Sequence, residues 1–278
     1  LQLDPADYFR KDLAVNGLTP SRQIIALEIA AFGVVDASLE ELTQLRKNPG
    51  DWSAGGESPA THLKLVDEQA VLATVALLRA IDGASWRDKS FADWAVISAP
   101  RFPGRVRGAA GIARYLKLGP RALSPLIIPT LSLHSVSSVV SMILQSHGAN
   151  FGTSGDRFHV SEALLMGFSV QHSGRTPGAW VVLTGFEPEP QLDANGRIVN
   201  TVQGYGIAMA LVDETAVEPG IRLTYDPKTL QNRSAPITIS ELAGALRDPE
   251  KFERWNCPVE GGGVLTLKCE AHQLVRAA

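Results

Sequence analysis

Residues 125–170, PLIIPTLSLHSVSSVVSMILQSHGANFGTSGDRFHVSEALLMGFSV, constrain the chain more than any other stretch. They read as helix, short strand, tight turn, helix. The turn, Gly152-Thr153-Ser154-Gly155-Asp156, joins two apolar segments. In many α/β enzymes a strand-to-helix turn of this kind presents a nucleophile and backbone N–H donors together. The helix before it, expected over 134–147, carries Ser135, Ser137, Ser138, Ser141 and Ser146. Small side chains let neighbouring backbones approach closely, which suits the crowded middle of a large α/β fold. The strand is expected over 149–152 and the second helix over 156–170, with Asp156 as its cap.

The remaining pattern alternates in the same way. A helix is expected over 19–35, with Thr19 as N-cap, Pro20 at the first helical position and Ile24, Leu27, Ile29 and Ala31 as its stripe. The run KNPGDWSAGGESPATH, residues 47–62, reads as a long surface loop, mobile or functional. A helix over 66–81 has acids in its first turn, Arg79 near its end and apolar residues on most faces, so it should be buried. A strand over 94–99, a helix over 106–117 and a buried strand over 179–185 follow. Another strand, 201–213, has Gly204 and Gly206 at its start, which marks close approach of a backbone or ligand. Residues 221–225, a helix over 238–247 and VLTLKCE after Gly261-Gly262-Gly263 complete the series. The alternation predicts an α/β sheet protein.

Several function classes drop out. The net charge is −3, which gives no electrostatic case for nucleic acid or an anionic membrane. The longest apolar runs, such as 127–133 and 179–183, are too short to span a bilayer. The first residues, LQLDPADYFRKDL, lack both a signal-peptide pattern and an initiator Met, so a trimmed N-terminus and a cytoplasmic protein are expected. Two cysteines, Cys257 and Cys269, do not make a disulfide framework in 278 residues, and two free thiols are expected. No CxxC, HExxH or paired His spacing suggests a metal. The lone GxG at Gly204 and Gly206 is not a dinucleotide fingerprint, so no cofactor is expected.

Four segments, in order, resemble β-ketoacyl-ACP synthases. They are DPADYF before the expected first helix, the block from Pro129 to Ala163, Leu183-Thr184-Gly185-Phe186-Glu187, and Val202-Gln203-Gly204-Tyr205-Gly206-Ile207-Ala208-Met209. The resemblance spans about residues 4–213 and is closest to the divergent ketosynthase-like N-terminal group related to chain-length factors. It implies an α/β, thiolase-like fold of layered sheet and helices, similar to the N-terminal half of a ketosynthase. It implies one domain over 1–278, with 214–278 a divergent C-terminal extension. It implies dimers, an acyl carrier protein partner, and elongation of acyl chains by a Cys on the nucleophile turn and two His in the second half.

The chain departs from that pattern. The turn has no Cys; counting back from Glu162-Ala163 puts Thr153 near that position, and a small gap shift puts Ser154 or Gly155 there. About 65 residues follow the GYG strand, without either His motif, and the family's first strand is expected to be absent or trimmed. A Cys thiolate forms readily at a helix N-terminus, whereas Ser or Thr needs an adjacent base. His134 and His147 are placed to approach from the preceding helix, and His159 lies about one turn along the following one.

Each candidate also has a structural role. Ser154 and Asp156 suit turn and capping positions. His134 suits a hydrogen-bonded site at a helix start, and Glu187 suits structural hydrogen bonding. Gly204 and Gly206 suit either an acyl pocket floor or tight layer packing. The basic run Arg101–Arg107 suits a solvated face or an acidic carrier-protein helix. The expectation is a non-catalytic ketosynthase-like pseudoenzyme of fatty-acid or polyketide-type biosynthesis. It would be a partner or chain-length-type subunit in a homo- or heterodimer with a condensing enzyme. The alternative is an acyltransferase or hydrolase with Ser154 or Thr153 as nucleophile and His134 as base.

Overall fold

One mixed sheet of eight strands organises the chain: β1 (Ile25–Ser38), β2 (Ala95–Pro100), β3 (Asn150–Gly152), β4 (Ala179–Glu187), β5 (Gln203–Asp213), β6 (Ile221–Asp226), β7 (Arg254–Pro258) and β8 (Val264–Cys269). The order is β3-β2-β4-β5-β1-β6-β8-β7. Strands β3, β2 and β4 run parallel, and every other neighbouring pair is antiparallel. The computed structural model describes residues 25–123, 125, 127–153, 157–213, 220–227, 235–248, 254–260 and 262–269.

Helices cover both faces. On one lie α1 (Leu39–Lys47), α2 (Pro59–Leu63), α3 (Glu68–Gly83) and α6 (His134–Leu144). On the other lie α7 (His159–His172) and α8 (Ile239–Arg247). Two further helices, α4 (Arg105–Leu118) and α5 (Ile127–Thr130), form an excursion between β2 and α6. A sheet covered on both sides gives strands that are apolar nearly throughout. β4 fits this, with Ala179, Trp180, Val181, Val182 and Leu183 all fully buried.

The expected helix over 19–35 is not there: from residue 25 it is the longest strand, and residues 19–24, with Thr19 and Pro20, lie outside the described residues. Ala31, Gly33, Val35 and Ala37 alternate inward toward α3, while Phe32 and Val34 pack on the opposite face. Both faces are apolar, so the alternation is hidden behind a continuous apolar run that also matches a helical stripe. The first described strand therefore lies in the interior of the sheet, where a helix was expected. Gly33 is dictated by packing, because a Cβ there would lie 2.1 Å from the Ala76 carbonyl oxygen.

Other expected elements are found within a few residues of their places: α3, β2, α4, α6, β3, α7, β4, β5, β6, α8 and β8. Helices α1 and α2 and strand β7 were not anticipated. The expected loop over 47–62 is shortened by α2, and Trp52 pins it by donating to the Arg87 carbonyl (2.7 Å) and packing edge-on against Phe91. At the other end, β6, β8 and β7 extend the sheet beyond β1, and β7 and β8 meet α7. Cys257 and Cys269 are both buried on these last strands. No helix among the described residues is long and apolar enough to cross a membrane.

Candidate functional site

The expected nucleophile turn begins where two parallel strands end. Gly152 on β3 stands opposite Ser98 on β2. The Thr153 N–H donates to the Ser98 carbonyl (2.8 Å), and its hydroxyl donates to the same oxygen at 3.4 Å. The Ser98 hydroxyl in turn donates to the Leu133 carbonyl (3.3 Å). Gly152 presses on the start of α6: a Cβ there would come within 2.5 Å of the Leu133 carbonyl oxygen. This is the carboxyl end of parallel strands, the usual ligand side of an open α/β sheet. Ser154, Gly155 and Asp156 lie outside the described residues.

The three histidines stand in different settings. His134, the first residue of α6, has its backbone N beside Gly152 but its side chain is exposed. His147 is exposed beyond the opposite end of α6, about 16 Å of helix away. His159 is fully buried as the first residue of α7. A Thr hydroxyl donating to a backbone carbonyl is held in place, and it needs a base to become a nucleophile. His147 instead lines an open cleft of about 440 Å³ with His62, Ser141, Met142, Gln145 and Ser146.

Gly204 and Gly206 face α3. A Cβ on Gly206 would lie 2.7 Å from the Leu72 carbonyl oxygen, and one on Gly204 would lie 2.9 Å from the Leu72 side chain. Their absent side chains let the helix backbone rest on β5. Glu187 has the structural role expected of it: its two carboxylate oxygens accept from the N–H groups of Ile239 (3.2 Å) and Ser240 (3.3 Å) at the start of α8. The carboxylate complements the positive end of that helix. The basic run is largely neutralised at home. Arg101 pairs with Glu187 (3.6 Å) and Glu189 (3.0 Å), Arg105 with Glu189 (2.6 Å), and Arg107 with Glu68 (3.7 Å).

A buried polar cluster at the start of α3 was missed by sequence reasoning. Gln69 donates to the carbonyls of Arg101 (2.9 Å) and Phe102 (3.3 Å) and accepts from Thr184 (2.9 Å). Asp67 caps α3 by accepting from the Gln69 N–H (2.9 Å). Burial, reinforced by the neighbouring Glu68 charge, pushes the Asp67 carboxyl up to about 7. The available signal was the Asp-Glu-Gln run at a helix start. These groups satisfy one another, so the cluster fixes the loop after β2. Cys257 is no substitute for the missing turn Cys, since burial pushes its thiol up to about 12. Among the described residues, no three or more His, Cys, Asp and Glu gather as a metal site.

No family model matches the chain, and no curated protein does. Solved structures do. One is a ketosynthase in complex with its chain length factor from Xenorhabdus doucetiae, with a TM-score of 0.51 at 14% identity. Another is the ishigamide ketosynthase/chain length factor, at 0.55 and 12%. A third is a type II polyketide synthase acyl-carrier protein in complex with its ketosynthase bound to the hexaketide, at 0.55 and 10%. Each match covers 88% of this chain and 99% of the other. The chain therefore has a ketosynthase-like α/β fold.

Proposed function

We propose that this protein is a non-catalytic, ketosynthase-like subunit that pairs with an active condensing enzyme in fatty-acid or polyketide-type biosynthesis, in the manner of a chain-length factor. The observation that carries the reading is the position of the thiols. The only two cysteines lie on β7 and β8, at the opposite end of the eight-stranded sheet from the β3 turn. The turn itself offers a Thr hydroxyl tied to a backbone carbonyl, and His134 at the start of α6 is exposed. The three solved relatives, named for ketosynthases with a chain length factor or an acyl-carrier protein, support a partner role.

On this reading the chain is one ketosynthase-like domain over 1–278, with 214–278 as its divergent extension, and it works in the cytoplasm. The Gly152–Asp156 turn, with Thr153, Ser154, Gly155 and His134, keeps the place of a nucleophile without its chemistry. Gly204 and Gly206 let α3 rest on β5. The partner subunit supplies the reactive Cys and receives the acyl carrier protein.

The test is intact-mass analysis of this chain and a Cys-bearing ketosynthase after incubation with an acyl thioester. The expected adduct is on the ketosynthase and none is on this chain. An adduct on this chain that disappears in Ser154→Ala or Thr153→Val would replace the proposal with an acyltransferase or hydrolase.

A further inference from the structure

The excursion between β2 and α6 is built unlike the rest of the molecule. Helix α4 spans 14 residues and buries none of them. Its first half is fastened to the body by Arg105 on Glu189 and by Arg107, which donates to the Leu65 carbonyl (2.6 Å). Its inner face is glycine and alanine: Gly111 meets Ile127, Gly108 meets Leu131, and Ala109 and Ala113 meet Gly196. Beyond Ala113 every residue to Leu118 is exposed, so the helix end projects. The projection carries Ile112 (63% exposed), Leu116 (73%) and Leu118 (63%), and Ile128 of α5 (78%) stands beside it. So much apolar exposure on one feature marks a contact surface.

Charge narrows what can touch it. Residues 94–155 hold six of the chain's cations, Arg101, Arg105, Arg107, Arg114, Lys117 and Arg121, and none of its 29 carboxylates. Arg101, Arg105 and Arg107 are paired; Arg114, Lys117 and Arg121 make no ion pair among the described residues. The apolar projection is thus rimmed by three cations that make no ion pair among the described residues. A second copy docking through the same patch across a two-fold axis would bring these cations against their own equivalents. A lipid surface is also a poor fit. Leu131, against which Gly108 of α4 rests, leads to the exposed Leu133, which lies against Gly152 of β3 next to the exposed Phe151; among the described residues β3 ends the sheet with β2 as its one neighbour. The free edge of a strand is matched by polypeptide, not by hydrocarbon.

We infer that the α4–α5 projection is a docking surface for a different protein chain, one presenting an apolar surface rimmed by carboxylates, and that its cationic rim selects this heteromeric partner over a second copy. The inference deepens the partner-subunit reading and rests on it for the identity of the partner.

Sedimentation velocity separates the two. At 50 mM salt the wild-type chain alone is expected to remain monomeric. So is the triple variant Arg114→Glu/Lys117→Glu/Arg121→Glu, which keeps the apolar projection and reverses its rim. A 1:1 mixture supplies the complementary rim and is expected to form a dimer that Leu116→Asp, in either chain, abolishes. Circular dichroism checks that the exposed substitutions leave each variant folded. A wild-type dimer at 50 mM salt that Leu116→Asp breaks would overturn the inference. So would the absence of any dimer in the mixture, or co-sedimentation of the wild type with phosphatidylcholine/phosphatidylglycerol vesicles. Against a Cys-bearing ketosynthase, the triple variant should bind at least tenfold more weakly, and wild-type binding should weaken between 50 and 500 mM salt. Equal binding by wild type and variant would also overturn it. A ketosynthase that binds neither would count against the functional reading, while the mixing experiment still decides this one.

Discussion

Helices α3 and α4 are similar in length and both turn a face of small residues toward their neighbours, yet the fold uses them in opposite ways. In α3, twelve of sixteen residues are buried, and none of the fourteen in α4 is. Both approach their neighbours through glycine. The α3 backbone lies on Gly33 and Gly206 of the sheet, and the large side chains around the contact fill the space between sheet and outer helices. The α4 glycines meet only the side chains of α5 and the segment beside it, and its large apolar residues point away. Burying a Leu or Ile side chain contributes about 1.5–3 kcal/mol, which α3 collects many times over and the outer face of α4 does not collect within the monomer. The first helix holds the subunit together; the second presents a surface.

The sharpest way to break this contrast is to damage α3. Leu77 is fully buried in the cluster that α3 shares with α6 and the sheet. Leu77→Ala should cost about 2–5 kcal/mol, read as a drop in the urea midpoint at unchanged slope. A cost below about 1 kcal/mol would mean that α3 is not the spine of the fold.

The joint between the two helices makes the next largest effect, and it depends on pH. Asp67 caps α3, and Arg107 of α4 faces the Asp67–Glu68 pair. The folded-state value of about 7 stands above the unfolded value of about 4. Between these limits the folded chain keeps a proton that the unfolded chain has lost. The contribution is therefore complete below about pH 4 and is lost as pH rises through about 7. Asp67→Asn cannot ionise and retains an oxygen for the Gln69 N–H. Its stability relative to wild type should rise between pH 5 and pH 8 by on the order of 2 kcal/mol, followed by urea unfolding at each pH. A difference that does not change with pH would remove Asp67 from this role.

The sequence made the two helices only half legible. The buried character of α3 was readable, because a helix that is apolar on most faces has to be enclosed. The exposure of α4 was not, since its spacing of apolar residues would equally suit a half-buried helix. Strand β1 was misread for a related reason: with helices on both sides, Phe32 and Val34 are as apolar as Ala31 and Val35, and the period-2 signal disappears. That the turn holds no Cys was evident from residues 152–156 alone, and the structural use of Glu187 was expected from its place after an apolar strand. The Gln69–Thr184 bond was out of reach: it joins residues 115 apart and exists only because β4 lies beside β2. Local chemistry was legible, whereas contacts created by strand order were not.

The smallest expected effect is the most discriminating one. Leu116 is 73% exposed on the free end of α4. Leu and Ala have nearly equal helix propensity, so Leu116→Ala removes neither packing nor helix preference from the monomer. Its unfolding free energy should stay within about 0.5 kcal/mol of wild type by urea titration. A loss of 2 kcal/mol or more would show that Leu116 is buried within the subunit in solution, and α4 would then resemble α3. An unchanged monomer that binds a ketosynthase more weakly would place the value of this side chain entirely in the contact. That is the outcome the two helices lead one to expect, because an apolar residue that gives its own subunit nothing can gain only from another chain.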